Sequence, residues 1–148
     1  MIFIALMTGT ILLCWFLNST LLEKYYTSNK QNVLLTAYHN INEATSKGNT
    51  NSDTFKIEVQ KLCGIYNISI LIVNADSDIV TSSVHETTAL THELMGHIFG
   101  VTDQNGGRQD EILQQTDSYT IQNNQDYQTG INYIEMWGVL DNGNPFII

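Results

Sequence analysis

The first 22 residues of the chain contain no acidic or basic side chain, and the first ionised residue is Glu23. Residues 2–17 are almost wholly apolar and are interrupted only by Thr8, Gly9 and Thr10. A helix needs about 20 predominantly apolar residues to cross the roughly 30 Å hydrocarbon core of a bilayer. The sequence therefore predicts a transmembrane helix over residues 1–22, followed by one water-soluble domain over residues 23–148.

A cleaved signal peptide and a lipoprotein signal are the alternatives for this apolar segment. A signal peptide has a basic region before its apolar core and small residues at its cleavage site, and neither is evident here. A lipoprotein would need a small residue before its cysteine, whereas Leu13 precedes Cys14. An uncleaved membrane anchor is therefore the favoured interpretation.

The soluble part carries all of the charge, and its 15 acidic and 6 basic residues give a net charge of −9. This excess of acidic residues excludes nucleic acid as a partner, because phosphate binding requires clustered Lys and Arg. The two cysteines are not expected to form a disulfide, since Cys14 lies inside the apolar segment and Cys63 far outside it. Cys63 is expected to be a small buried apolar residue.

The first helix is expected to continue beyond the membrane segment to residue 46. Leu34, Tyr38 and Ile41 recur at the spacing of one helix face, and no proline interrupts the run. The turn-forming residues 47–51 then end the helix. This prediction gives one helix that crosses the membrane with its first half and contacts the soluble domain with its second half.

The rest of the chain predicts an antiparallel sheet with flanking helices. Residues 68–73 would place apolar side chains on both faces of a strand, which is typical of a strand covered on both sides. Residues 141–144, Asp-Asn-Gly-Asn, predict a hairpin turn. The other predicted elements are a helix over 53–63 with Ser52 or Asp53 as N-cap and Gly64 as its stop, a return strand over 79–82, a helix over 87–99, a loop over 102–110, and strands over 111–122, 131–140 and 145–148.

These elements predict an α+β fold in which a long N-terminal helix packs on a central antiparallel β-sheet. Because the chain stops inside an apolar strand, we expect it to be a fragment of a longer polypeptide. Alternation in the segment 131–140 predicts Ile134, Met136 and Leu140 on one face of the sheet. It places Tyr133, Glu135 and Trp137 on the other face.

The aromatic residues of this half of the chain are expected mainly to pack on the sheet. The alternative is a small-molecule site lined by aromatic rings, with Glu135 or Arg108 as its polar anchor. The candidate ligand-binding residues are therefore Arg108, Tyr119, Tyr133, Glu135 and Trp137, with Tyr127 as a further aromatic side chain of this region. The sequence predicts no catalytic residue and no cofactor.

The segment from His92 to His97 has the composition of a zinc-protease helix but the wrong spacing. That motif needs two histidines at i and i+4, on one face of a helix. His92 and His97 are five residues apart, about 140° around a helix. The sequence therefore predicts no metal ligand, and a metal-dependent hydrolase using His92, Glu93 and His97 is kept as a minor alternative.

The chain resembles the extracytoplasmic PAS-like (single-Cache type) sensor domains of bacterial membrane-bound histidine kinases. The likeness rests on a membrane helix that runs into the first soluble helix, on the strand 68–73 with its return strand, and on the closing segment 133–148, YIEMWGVLDNGNPFII. The resemblance implies a two-component signalling role with the domain outside the cytoplasm. It also implies that this fragment is not itself an enzyme, although the parent chain would be a protein histidine kinase.

The predicted function is therefore signal sensing across the membrane. A small ligand, an ion or a partner protein would bind the sheet face or the acidic surface, and the long helix would pass the resulting displacement inward. We expect a homodimer through the first soluble helix, on the face that contains Leu34, Tyr38 and Ile41. A structural subunit of the type IV pilin kind, which also places a long apolar helix before an antiparallel sheet, is the main alternative.

Overall fold

The computed structural model describes residues 2–47, 52–74, 76, 78–85, 87–100, 111–125 and 129–148, without the side chain of Glu23. These residues form an α+β fold with a long N-terminal helix and a six-stranded antiparallel sheet, as the sequence predicts at this level. The helices are α1 Ile2–Ser46, α2 Asp53–Tyr66 and α3 Thr88–Phe99. The strands are β1 Leu71–Val73, β2 Ile79–Ser82, β3 Glu111–Gln115, β4 Tyr119–Gln125, β5 Asn132–Val139 and β6 Pro145–Ile147.

The chain divides into two units, Met1–Asn32 and Val33–Ile148. The described part of the first unit is helical throughout, and its apolar side chains are exposed, as for Trp15 with 69% of its surface accessible. Among the described residues, α1 is the one helix long and apolar enough to cross a membrane. Length and composition alone give weak support for a span, because a signal sequence near the N-terminus meets the same criteria.

The part of α1 inside the second unit supplies one stripe of the hydrophobic core. Leu34, Ala37, Tyr38 and Ile41 are all buried there, at the i, i+3, i+4 and i+7 positions of one helix face. This corrects the predicted dimer surface, because residues already covered by the chain's own core are not free to contact a second copy. Any dimer through this helix must use its exposed side.

The helix α2 begins as predicted and ends later than predicted. The side chain of Ser52 accepts a hydrogen bond from the backbone N–H of Phe55, 3.1 Å away, and so caps the first turn. The helix passes through Gly64 and ends at Tyr66, where Asn67 takes the left-handed conformation with φ 52°. The predicted stop at Gly64 was wrong because Asn also tolerates this backbone conformation.

The strand order in the sheet is β2-β1-β6-β5-β4-β3, with antiparallel pairing of each neighbouring pair. The predicted strand over 68–73 is confirmed in its buried part, since residues 70–73 are fully buried and β1 lies between β2 and β6. The predicted return strand agrees with β2. The hairpin turn over 141–144 is also confirmed, and Gly143 adopts φ 86° there.

The predicted single strand over 111–122 is wrong, because this segment turns at residues 116–118 and forms β3 and most of β4. The Oγ1 atom of Thr116 accepts hydrogen bonds from the backbone N–H groups of Ser118 and Tyr119, at 3.3 and 3.1 Å. This side chain replaces the missing strand hydrogen bonds in the turn. The predicted loop over 102–110 lies outside the described residues.

The two faces of the sheet are covered by different helices. Ile70, Ile72 and Met136 face a core that contains the buried residues of α1 and α2. Leu71, Val73 and Ile147 face a smaller cluster built around Leu94 of α3. Alternation along one strand therefore sends neighbouring side chains into two separate clusters, and the polar residues described next lie on the α3 face.

Candidate functional site

A group of polar side chains is buried where α3 covers the sheet. The strand β5 alternates as predicted, with Ile134 and Met136 in the core beside α1 and Glu135 on the other face. The antiparallel register of β4 and β5 places Gln122 opposite Glu135 and Asn124 opposite Tyr133. Two amides and one carboxylate therefore face α3 from neighbouring strands.

Glu135 is the centre of this group and is only 3% exposed. Its Oε1 atom accepts hydrogen bonds from the side-chain amides of Gln122 and of Asn124, the latter at 2.8 Å. Its Oε2 atom is buried and has no hydrogen-bond partner among the described residues. A buried charged oxygen without a partner is energetically costly, so this atom marks a place where a further ligand would be stabilising.

The helix α3 adds two polar side chains to the group. Glu93 and His97 are four residues apart and so lie on one face of the helix. The Nε2 atom of His97 lies 3.0 Å from Oε1 of Glu135, and the hydroxyl of Tyr133 donates a hydrogen bond of 2.8 Å to Oε1 of Glu93. His92 is exposed on a different face of α3.

Trp137 fixes the orientation of the His97 ring. The two rings are stacked, with their centroids 4.7 Å apart and their planes 2° from parallel. The indole Nε1 atom donates a hydrogen bond of 3.3 Å to the side-chain oxygen of Gln122. Gln122 thus contacts both Trp137 and Glu135. The indole ring of Trp137 and the carboxylate of Glu135 therefore belong to one hydrogen-bonded network.

The structure brings together three of the five predicted ligand-binding residues, Tyr133, Glu135 and Trp137. Tyr119 does not join them, because it lies on the other face of the sheet, where its ring centroid is 5.1 Å from that of Tyr38. The reason is that successive side chains of a strand point to opposite faces. Tyr119 is an odd number of residues from Gln122, whose side chain faces α3, so Tyr119 lies on the face away from α3. Arg108, and the further aromatic residue Tyr127, lie outside the described residues.

The sequence indicates Glu93 and His97 only within the metal-dependent alternative, and it does not indicate Gln122 and Asn124. The i, i+4 spacing of Glu93 and His97 is the signal that places them on one helix face. Gln122 ends the predicted strand over 111–122, and Asn124 lies beyond it. The pairing of β4 with β5 brings Gln122 and Asn124 to Glu135, and the packing of α3 on the sheet brings Glu93 and His97 there. No local sequence pattern encodes that packing.

The site can hold a small cation or a ligand that offers hydrogen-bond donors. The ligating atoms of Glu93, His97 and Glu135 all lie within 4.8 Å of one another. Two of these side chains are carboxylates, so the site attracts positive charge. Comparison of the chain with protein-family models, with curated proteins and with solved structures gave no match.

Proposed function

We propose that this chain is the membrane-anchored, extracytoplasmic input domain of a two-component sensor histidine kinase. The observation that carries the proposal is the composition of α1. This helix runs from Ile2 to Ser46 and contains both an exposed uncharged segment and a buried stripe of the domain core. A helix built in this way links the state of the core to the membrane.

The input site is the buried polar group under α3. Oε2 of Glu135, which has no hydrogen-bond partner among the described residues, is an atom that a ligand could bind. Burial restricts the site to a small ligand or an ion. A ligand that binds one packing of α3 on the sheet more tightly than another shifts the population toward the first packing.

The strand β5 offers a physical route from the site to α1. Glu135 faces the site, while its neighbours Ile134 and Met136 contact the core that contains α1. The turn after β5 is also held to α1, because the Asn42 side chain donates a 2.7 Å hydrogen bond to Asp141 and accepts one of 2.9 Å from its backbone N–H. A small movement of β5 therefore changes the packing of α1.

The sheet and helices described above support the PAS-like resemblance at the level of an α+β fold. We further propose that the parent chain is a histidine kinase and that this domain forms a homodimer. Because Leu34, Tyr38 and Ile41 are buried within one chain, the dimer contact would use exposed residues such as His39 and Glu43. Paired helices transmit a displacement across a membrane better than a single helix, since each supports the other.

A cysteine crosslinking scan in membranes tests the proposal. The chain lacking Cys14 and Cys63 would receive single cysteines at His39 and Glu43, with Ala37 and Ile41 as buried controls. We expect crosslinks between protomers at the exposed positions and none at the buried ones. We also expect their yield to change when Glu135→Gln alters the site, and an absence of crosslinks at every position would contradict the proposal.

A metal-dependent hydrolase is a second candidate, because Glu93, His97 and Glu135 form a group that could hold a metal ion. It ranks below the sensor, since the side chains of His97 and Glu135 are only 11% and 4% exposed. A hydrolytic metal must be reached by both water and substrate. Turnover of a chromogenic ester or peptide by the metal-loaded chain, lost in His97→Ala, would favour the hydrolase.

A further inference from the structure

We propose that Glu93, His97 and Glu135 form a binding site for one divalent transition-metal cation of the Zn²⁺ class. The inference deepens the proposed function by naming the class of ligand at the same site. It would also hold for a domain that binds the ion without signalling. Three features support the site: the donor atoms, the buried oxygen of Glu135, and the side chains that hold the ligands in place.

The three donors suit a transition metal better than Ca²⁺ or Mg²⁺. Imidazole nitrogen is a preferred ligand of Zn²⁺, Ni²⁺ and Cu²⁺, whereas Ca²⁺ and Mg²⁺ take oxygen ligands almost exclusively. Two of the three donors are carboxyl groups, which suit a divalent cation. Three protein ligands leave a fourth tetrahedral position for water or for an external ligand.

The distances need only a small adjustment around an ion. Zinc holds nitrogen and oxygen ligands at about 2.0–2.2 Å, so two ligands of one tetrahedral ion lie about 3.3–3.6 Å apart. Oε1 of Glu135 is 3.0 Å from His97 Nε2 and accepts the amide hydrogen bonds, so the carboxylate would bind an ion through Oε2. Each of the three residues offers one ligating atom, and these atoms lie within 4.8 Å of one another. Glu93 is a half-buried side chain on α3 that accepts a hydrogen bond from Tyr133, and rotation about its side-chain bonds would supply the remaining movement.

The buried oxygen of Glu135 is an independent observation that points to a ligand at this site. Hydrogen bonds from Gln122 and Asn124 converge on Oε1, and Oε2 is buried without a hydrogen-bond partner in the part of the chain that the structure describes. A purely structural carboxylate at 3% exposure would be expected to have both oxygens satisfied. A cation bound against Oε2 removes this deficit and neutralises the buried charge at the same time.

The surrounding side chains orient the three proposed ligands. Trp137 stacks on the His97 ring, and Tyr133 donates a hydrogen bond to Glu93. Gln122 and Asn124 orient the carboxylate of Glu135. Such outer contacts fix the direction of the ligating atoms, and losing one commonly lowers metal affinity about 10–100-fold.

Metal content and affinity of the full chain test the proposal directly. The untagged protein, purified in detergent micelles and dialysed against Zn²⁺, should retain one equivalent by elemental analysis. His97→Ala and Glu135→Gln should each lower Zn²⁺ affinity by about tenfold or more, measured against a chelating indicator. His92→Ala is the matched control, because it removes an exposed histidine of the same helix and should leave the affinity unchanged.

A second readout excludes loss of folding as the cause. Trp15→Phe leaves Trp137 as the one tryptophan of the chain, and Trp137 lies against His97. Paramagnetic Co²⁺ at the site should quench its fluorescence and show the visible absorption of a tetrahedral complex. Circular dichroism should show the same helix content for the His97→Ala and Glu135→Gln variants as for the parent.

Two results would overturn the metal site. One is the absence of stoichiometric Zn²⁺ in the parent protein, and the other is equal affinity in the parent and in both ligand variants. Adding Zn²⁺ to the crosslinking scan separates this inference from the proposed function. If zinc binds but does not change the crosslinks, the metal site stands and the proposed sensor function is wrong. If the crosslinks change in Glu135→Gln but zinc does not bind, the sensor function stands and the metal site is wrong.

Discussion

Single residues decide how closely the strands of this sheet can approach. A Cβ atom added to Gly138 of β5 would lie 2.1 Å from the backbone oxygen of Ser118 and 2.7 Å from the Cα atom of Tyr119. The same oxygen accepts a 2.9 Å hydrogen bond from the backbone N–H of Val139. The β3–β4 turn therefore packs directly on the backbone of β5, in contact that only glycine allows.

Replacing Gly138 by alanine should destabilise the domain by about 1–3 kcal/mol, because the clash is with backbone atoms that cannot rotate away. Urea unfolding of the parent and of Gly138→Ala would measure the change. Gly64→Ala is the matched control, since Gly64 lies inside α2 with open space around its Cα atom. That change should be neutral or stabilising by up to about 1 kcal/mol. Equal stability of Gly138→Ala and the parent would contradict the described contact.

Cys63 provides a prediction that depends on pH. Burial raises the pKa of its thiol, and a hydrogen bond with Ser83 offsets this in part. Because only the thiolate reacts with iodoacetamide, alkylation of folded Cys14→Ser protein should rise at higher pH than alkylation of the urea-unfolded chain. A folded pKa above the unfolded one also means that this thiol stabilises the fold below the unfolded pKa. That contribution is lost as the pH rises through the folded pKa. Coincident pH profiles for folded and unfolded protein would rule the shift out.

At the scale of elements, the helix ends differ in how well their first turns are capped. Ser52 accepts a hydrogen bond from the backbone N–H of Phe55 at the start of α2. Thr87, the N-cap residue of α3, makes no side-chain capping bond and has helical backbone angles. The two positions look equivalent in the sequence, since both carry a hydroxyl residue before an apolar helix, and only the structure separates them.

Ser52→Ala should therefore destabilise the domain by about 1 kcal/mol, the usual cost of losing an N-cap. Thr87→Ala should cost much less, because it removes no capping hydrogen bond. Thermal unfolding of both variants beside the parent would measure the difference. A larger loss for Thr87→Ala than for Ser52→Ala would contradict the described caps.

Elements with a strong periodic pattern were predictable from the sequence, and tertiary contacts were not. The α1 helix, the buried part of β1 and the faces of β5 follow from apolar spacing alone. The β3–β4 turn was missed because its hydrogen bonds come from the Thr116 hydroxyl, in a segment without glycine or proline. The candidate site was predicted only on its β5 side. The α3 residues of the site are 38–40 positions away in sequence from their β5 partners, and only the packing of α3 on the sheet brings them together.

At the scale of the whole molecule, the proposed function depends on where the first 22 residues of the chain lie. Their apolar side chains are exposed to solvent in the isolated chain, which is costly in water and favourable in lipid. If the helix lies in a bilayer, as we propose, burial of this surface stabilises it by about 25 cal/mol per Å² of apolar area. The proposed sensor requires this helix to remain joined to the soluble domain.

The most direct test is the membrane location and the mass of the full chain expressed in a bacterial host. Membranes would be washed with alkaline carbonate, and a cysteine placed at the exposed Lys56 of α2 would be labelled in intact cells with an impermeant reagent. The account predicts a chain that keeps residues 1–22, stays with the membrane pellet and is labelled from outside. A soluble product that has lost those residues would contradict it.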